Sequence, residues 1–227
     1  SFNIEFADPV KTFIETDVFY QINTDLTPLS TNAITTSVKT TIADYFTVNT
    51  GKFKKAFRRS ALLTLVDEVS SGVLSSRANI RMQQRIVPTL NVSSSFTLTY
   101  PGIIAVPTAK EIPAASDLIV RSSTFLIDGV VCRIENEQDT NIATNKLRVI
   151  ATGSGAVIVD NIGSFSTSTG VLSIVALKPT GFLDASTEIK ISVTPANQSA
   201  IVPERNSIIN YDADASNISA VATEADY

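Results

Sequence analysis

Residues 12–86 constrain the fold of this chain most, because they encode a strand, two helices and a second strand with a chemical signal at each boundary. Residues 12–23 alternate apolar and polar side chains, with Phe13, Val18, Tyr20 and Ile22 as the apolar positions, which is the pattern of a half-buried strand. The strand ends before Pro28, because proline disfavours helical geometry at the residue that precedes it.

Two amphipathic helices are predicted next. Ser30 can accept a hydrogen bond from the free amides of a first helix over residues 31–48. Its apolar stripe comprises Ile34, Val38, Ile42, Tyr45 and Phe46. Ser60 is expected to cap a second helix, which Gly72 ends in a left-handed conformation. Its apolar stripe comprises Ala61, Leu62, Leu65, Val66 and Val69, with Asp67 and Glu68 on the solvent side.

Beyond Gly72 the hydrophobic period falls to two, which predicts a strand with one buried face. The apolar face comprises Leu74, Ala78, Ile80, Met82 and Ile86. The other face, which we expect to be solvated or to contact a partner, comprises Arg77, Asn79, Arg81, Gln83 and Arg85.

This succession of elements resembles the C-terminal part of baseplate wedge proteins from contractile-tailed phages, in particular the T-even-type proteins that form the inter-wedge ring and are related to the baseplate-J group. The resemblance rests on the segments VFYQIN, ITTSVKTTIADYF, GKFKKAFRRS and ALLTLVDEVSSGV, and on a glycine-framed turn between strands at residues 162–174.

The resemblance implies a structural protein of the virion, located in the tail baseplate and assembled in the host cytoplasm. Its expected partners are itself, as a homodimer and as a ring in the assembled baseplate, and other baseplate wedge proteins. The ring would surround the hub and transmit the change of shape that triggers sheath contraction. No catalytic position carries over.

Composition supports a folded protein with hydrophobic surface to spare. Apolar residues make up 44% of the 227 residues and charged residues 18%, with a mean hydropathy of +0.19. No apolar run approaches the roughly 20 residues that cross a bilayer, so no membrane partner is predicted and the surplus is assigned to cores and subunit contacts. Because the chain starts at Ser1 without Met, we expect it to be part of a longer protein.

The absence of histidine argues against enzymatic function, because Ser-His and Cys-His nucleophile pairs and ordinary zinc sites need imidazole. No cofactor and no metal site are predicted. The single Cys132 lies in a strand-like run, where a lone thiol is usually a small buried side chain, and it cannot form a disulfide within one chain. Glu135, Glu137 and Asp139 alternate along the same run, as hydrated residues at a strand exit or as calcium ligands.

Charge gives two further indications. A net charge of -4 argues against nucleic acid as the main partner. Residues 52–59 interleave basic and aromatic side chains, which is typical of a nucleic-acid groove, of a solvated link anchored by its phenylalanines, or of a patch that attracts the acidic tail of a neighbouring subunit. We favour the solvated link, because nucleic-acid sites need a broader basic face.

After Pro88 seven short apolar runs predict an antiparallel sandwich or barrel. These runs cover residues 95–100, 118–127, 130–135, 146–151, 156–159, 171–177 and 188–194. Asp128-Gly129 predicts a two-residue hairpin, and Gly153, Gly155, Gly163, Gly170 and Gly181 are expected to mark turns. The last residues carry Asp212, Asp214, Glu224 and Asp226, which predicts an acidic arm that is disordered or lies across another surface.

Together these features predict an α+β fold, with a two-helix and sheet domain at residues 1–89, an all-β sandwich-like domain at 90–199 and an acidic C-terminal arm at 200–227. The predicted function is a self-associating structural subunit of a contractile-tail baseplate, and the alternative is a β-sandwich domain that binds carbohydrate or another ligand. The interface candidates are Phe53, Phe57, Arg77, Arg81, Arg85, Ile208, Ile209 and Tyr211. Each has a plainer interpretation as a core or solvated residue.

Overall fold

The computed structural model describes residues 9–183, 185–203 and 206–222. The chain divides into two compact units, a first unit of Ser1–Ile80 with Gln198–Tyr227 and a second unit of Arg81–Asn197. The predicted domains at 1–89, 90–199 and 200–227 stay predictions. Glu224 and Asp226 of the predicted acidic arm lie outside the described residues.

Fourteen strands, two α-helices and two short 3-10 turns occur in the described residues. In chain order they are β1 (Val10–Ile22), a 3-10 turn (Thr24–Leu26), α1 (Thr31–Asn49), β2 (Phe57–Arg58), α2 (Arg59–Asp67), β3 (Val73–Ile86), β4 (Ser94–Thr99), a 3-10 turn (Ala115–Asp117), β5 (Val120–Ser122), β6 (Phe125–Ile127), β7 (Val130–Asp139), β8 (Ile142–Ala151), β9 (Val157–Phe165), β10 (Val171–Leu177), β11 (Ile189–Val193), β12 (Ala200–Ile201), β13 (Ser207–Tyr211) and β14 (Asn217–Ala222). Two helices with mostly antiparallel strands confirm the predicted α+β class.

The first helix follows the sequence prediction. The hydroxyl of Ser30 accepts a hydrogen bond from the amide of Ala33 at 3.3 Å, and all five residues of the predicted stripe are buried. On one face of β1 the buried residues are Thr12, Ile14, Thr16, Val18, Tyr20 and Ile22, and on the other face Glu15 is buried. Phe13 lies on this second face, because side chains alternate along a strand. The hydrophobic core of the first unit therefore lies between α1 and one face of β1.

The second helix departs from the prediction at both ends. Ser60 does not cap it, because Arg58 occupies the extended N-cap position and α2 begins at Arg59. Gly72 does not end it either, since α2 ends at Asp67 and Gly72 has no positive φ. An added Cβ at Gly72 would lie 2.9 Å from the carbonyl oxygen of Asn23, so this glycine permits close packing. Of the predicted stripe, Leu62 and Val66 are buried.

The last strands of the chain were not predicted. β13 and β14 both pair in parallel with β1, opposite Val10–Ile14 and Asp17–Ile22 respectively, so they cover successive parts of one edge of β1. On the other edge β1 neighbours β3. β12 pairs with β2 in a separate two-stranded sheet. The sheet of the first unit thus combines strands from the two ends of the chain.

β3 confirms part of the predicted alternation. Ala78, Ile80, Met82 and Ile86 are buried as predicted, whereas Leu74 is 49% exposed. On the face that was expected to be solvated or to meet a partner, Arg81 and Gln83 are buried. Their half of the strand lies in the second unit, where both faces are covered by the unit itself.

The second unit is an antiparallel β structure with neighbours in the order β3-β11-β5-β7-β8-β9-β10-β4. The predicted hairpin is confirmed, since Asp128 and Gly129 have φ of 49° and 80° and connect β6 to β7. The predicted strand at 118–127 is instead two strands, because β5 pairs with β11 whereas Leu126 of β6 forms an antiparallel bridge with Gly181. Gly163 lies within β9 and does not mark a turn.

Neither described helix has the length and apolar character needed to cross a membrane.

Candidate interaction surfaces

Residues 51–55, which we call the basic turn, connect α1 to the strand that precedes α2 and are exposed. The turn is tied to the sheet at its start, where the amide of Gly51 donates to the carbonyl oxygen of Ile209 at 2.7 Å. The Phe53 side chain is 55% exposed. Among the described residues, no acidic side chain forms an ion pair with the lysines of the turn, which are Lys52, Lys54 and Lys55.

A cluster of four aromatic rings supports the basic turn. The rings of Phe46 and Phe57 are stacked with centroids 5.6 Å apart, and Tyr211 stacks on Phe46 at 4.1 Å. Tyr45 meets both phenylalanines edge to face, and its hydroxyl donates to the carbonyl of Arg58 and accepts from the amide of the same residue, each at 3.0 Å. Burial raises the pKa of Tyr45, against a smaller opposing effect of the Arg58 amide. Phe57 is therefore a packed residue, while Phe53 is open to a partner.

A groove of about 400 Å³ lies on the face of the first unit's sheet that carries the odd-numbered residues of β1. The guanidinium of Arg77 lies 4.9 Å from the ring centroid of Phe19. The hydroxyl of Ser75 donates to the side-chain oxygen of Gln21 at 3.0 Å, and Val221 of β14 is 49% exposed at the groove. Arg77 thus covers an aromatic face on which a sugar ring would otherwise stack.

The other arginines of the predicted row have partners in the second unit. Arg81 is buried and donates to the carbonyl oxygens of Leu118 at 2.8 Å and Ile119 at 3.4 Å. Arg85 forms an ion pair with Glu188 at 3.0 Å. The structure therefore does not bring the arginine row together as one surface, since these two side chains bind their own chain.

The candidates in β13 lie on two faces. Ile209 is fully buried opposite Thr12, and Tyr211 joins the aromatic cluster on the same side. Ile208 lies on the other face opposite Lys11, where it is partly exposed. The interface assignments of all eight candidates stay predictions. Phe57, Arg81 and Ile209 are buried, and the other five are at least partly exposed.

The alternating carboxylates of β7 bind basic side chains. Glu135 is buried and accepts from Arg148 at 3.1 Å through one oxygen and from Arg133 at 2.9 Å through the other. Arg148 also forms two hydrogen bonds with Asp139, at 2.8 and 3.0 Å. Bonds to Asp139 raise the pKa of Arg148 against the opposing effect of burial, and bonds to Glu135 add to the increase. This cluster cross-links β7 and β8.

The remaining carboxylate of the row, Glu137, lies 3.7 Å from the ammonium group of Lys146, which also pairs with Asp160 at 2.8 Å. These pairs direct the carboxylates toward basic side chains. In the described part of the chain, no group of three or more Cys, Asp or Glu side chains is arranged to hold a metal ion. The Cys132 thiol is buried, which raises its pKa.

Two surfaces of the first unit, the basic turn and the sheet groove, are thus open to other molecules. In a comparison with known families, residues 11–85 match a model of phage baseplate structural proteins. The family is described as baseplate structural protein gp6, C-terminal domain III, and the match covers about a third of the chain. It indicates a structural role in the baseplate of a phage tail. A comparison with curated proteins finds no match.

Proposed function

We propose that this chain is a self-associating subunit of the wedge type in a contractile phage tail baseplate, assembled in the host cytoplasm. It links wedges into a ring around the hub through dimer contacts, and it transmits the conformational change that triggers sheath contraction. The family match over residues 11–85 supports this proposal most, because those residues form β1, both helices and most of β3. The ring and the trigger rest on the resemblance of the same segment to inter-wedge ring proteins.

The surface of the first unit supports a binding role. Phe53 lies in a turn whose flanking residues Phe46 and Phe57 stack on each other, so little backbone freedom is lost when a partner covers its exposed ring. Aromatic residues dominate the binding free energy of many protein interfaces, and a stable contact buries about 1,600 Å² in total. We assign the centre of one self-contact to Phe53.

The alternative function, carbohydrate or ligand binding, has less support. The groove volume of about 400 Å³ lies within the range of small-molecule sites. However, the aromatic ring in the groove is covered by Arg77, and the chain has no tryptophan for stacking on a sugar. A glycan array tests this alternative, since reproducible binding of one glycan class would favour it over assembly.

Light scattering after size-exclusion chromatography tests self-association. We expect the mass to rise from 24.3 kDa toward twice that value as concentration increases through the micromolar range. Phe53→Ser should shift this rise to concentrations about tenfold higher or more. The matched control is Val106→Ser, which removes a 70% exposed apolar side chain from the second unit. A mass that stays at 24.3 kDa at every concentration would reject self-association of this chain.

The baseplate role has its own test. Proteolytic fragments of this chain should be detected by mass spectrometry in purified phage tails, and antibodies against it should label the baseplate end in electron micrographs. Labelling confined to the head or to the tube would contradict the proposal, whatever the oligomeric state of the isolated chain.

A further inference from the structure

The first unit carries opposite charges at the two ends of α1. From Tyr45 to Val66 the sequence has no Asp or Glu, and it has five basic residues, of which three lie in the basic turn. From Thr12 to Val38 and from Ser60 to Ser76 it has no Lys or Arg. Because α1 has 19 residues, its two ends lie about 28 Å apart. This distance exceeds the Debye length of about 8 Å at physiological salt, so each end presents its own charge.

The acidic end of the unit is assembled from two segments that are distant in the sequence. The Ser71 hydroxyl donates to the carbonyl oxygen of Leu26 at 2.7 Å, and the Ser70 hydroxyl donates to the hydroxyl oxygen of Thr27 at 3.0 Å. These bonds bring the end of α2 beside the 3-10 turn that precedes α1. The exposed carboxylates there, which we call the acidic end, are Asp25, Asp67 and Glu68.

Each end also presents apolar surface. At the acidic end Leu26 is 53% exposed and Leu29 is 45% exposed, and at the opposite end Phe53 is 55% exposed. Among the described residues, neither the lysines of the basic turn nor the carboxylates of the acidic end form ion pairs. The dipole of α2 opposes that of α1 in part, because α2 runs back toward the acidic end, where α1 begins. The difference in charge between the two ends of α1 therefore comes from side chains.

We infer that copies of this chain contact one another through unlike ends, with the basic turn of one copy against the acidic end of the next. Phe53 then meets Leu26 and Leu29, while the lysines meet Asp25, Asp67 and Glu68. This inference rests on the proposed self-association and names the surface that produces it. A contact between unlike surfaces closes as an antiparallel pair, in which it occurs twice, or continues into a ring.

The occupant is a second copy because both halves of the contact are present on one chain. Complementary charge raises the association rate and penalises pairing of like ends, so two basic turns or two acidic ends repel each other. Since each end combines charge with exposed apolar surface, the contact has apolar anchors inside a charged rim, as stable interfaces do. Raising the salt concentration should weaken it.

A charge-swap experiment tests the inference by sedimentation velocity. We expect Lys52→Glu/Lys55→Glu to raise the dissociation constant of self-association about tenfold or more, and Asp67→Lys/Glu68→Lys to do the same. A 1:1 mixture of the two variants should associate again with an affinity near that of the unaltered chain, because every contact in the mixture again joins opposite charges.

Two variants with the same change in net charge serve as controls. Lys39→Glu/Lys178→Glu and Glu111→Lys/Asp214→Lys alter exposed residues outside both ends and should leave the dissociation constant within about twofold. Because all eight positions are exposed, thermal unfolding should be little changed in each variant.

The outcomes separate this inference from the proposed function. If the unaltered chain associates but the mixture does not, the contact joins like ends or another surface, and self-association survives while unlike-end pairing is rejected. If only the lysine variant loses association, the basic turn binds something other than the acidic end, which also rejects the inference. If the unaltered chain stays monomeric up to millimolar concentration, both fail.

Discussion

The ring of Tyr211 lies parallel to the ring of Phe46, with centroids 4.1 Å apart and 3° between the planes. Phe46 belongs to α1, whereas Tyr211 ends β13 and pairs with Ile14 of β1. The stack therefore ties a late strand of the chain to the first helix. It also supports the aromatic cluster beneath the basic turn, so the proposed interface depends on residues far apart in the sequence.

Replacing Tyr211 by alanine should lower the free energy of unfolding of the first unit by about 2 kcal/mol, because the side chain is half-buried and its stack is lost. Tyr211→Phe keeps the ring and should change stability by less than about 0.5 kcal/mol. Urea unfolding followed by circular dichroism measures both. Equal losses in the two variants would show that the hydroxyl, not the ring, stabilises this region.

Ile209→Ala should cost about 3 kcal/mol, because Ile209 is fully buried on the side of β13 that faces α1 and truncation leaves a cavity. Ile208→Ala is the matched control on the opposite, partly exposed face and should cost less than about 1.5 kcal/mol. Chemical denaturation of the two variants under identical conditions gives the comparison. A larger loss for Ile208 would reverse the described orientation of β13.

Gly163→Ala should destabilise the second unit by more than about 2 kcal/mol, because a Cβ at this position would clash with the carbonyl oxygen of Ser173 in the adjacent strand. Gly153→Ala serves as control, since nothing lies within 4 Å of a Cβ added there. Thermal unfolding compares the two variants with the unaltered chain. A midpoint for Gly163→Ala equal to that of the control would contradict the described approach of β9 and β10.

Arg148→Met should lower stability by about 3 kcal/mol, because Glu135 then keeps its buried charge with Arg133 as its remaining partner in the cluster. Adding Glu135→Gln to this variant should recover part of the loss, since the buried carboxylate charge is then removed. Both variants are compared by urea unfolding at pH 7. No recovery in the double variant would mean that packing, rather than charge, explains the effect of Arg148.

The pKa of Asp160 should lie below its ordinary value, because Lys146 donates a hydrogen bond to the carboxylate. Because folding lowers this pKa, the pair stabilises the fold at pH values above the carboxyl's unfolded pKa. The stabilisation is lost as the pH falls through the folded pKa. NMR titration of the Asp160 carboxyl measures it. Lys146→Met should return the pKa toward the ordinary value, and an unchanged pKa in that variant would assign the shift to another group.

Several elements follow from the sequence because their causes are local. α1 begins where Ser30 caps it and buries the stripe that its spacing predicts. The hairpin at Asp128-Gly129 forms because both residues accept positive φ. The antiparallel character of the second unit is indicated by the spacing of its short apolar runs. In each case the residues that decide the structure lie within a few positions of one another.

Other elements were decided by tertiary contacts. β13 and β14 pair with β1 although some 200 positions separate them, as in the bond from the Thr16 amide to the Ser216 hydroxyl. Arg81 is buried because carbonyl groups of Leu118 and Ile119 accept its hydrogen bonds, which the alternation of β3 does not reveal. Sequence pattern thus determined both helices and most strands before residue 200. The pairing of distant strands determined the last strands and which polar side chains are buried, because burial depends on neighbours that only the folded chain brings together.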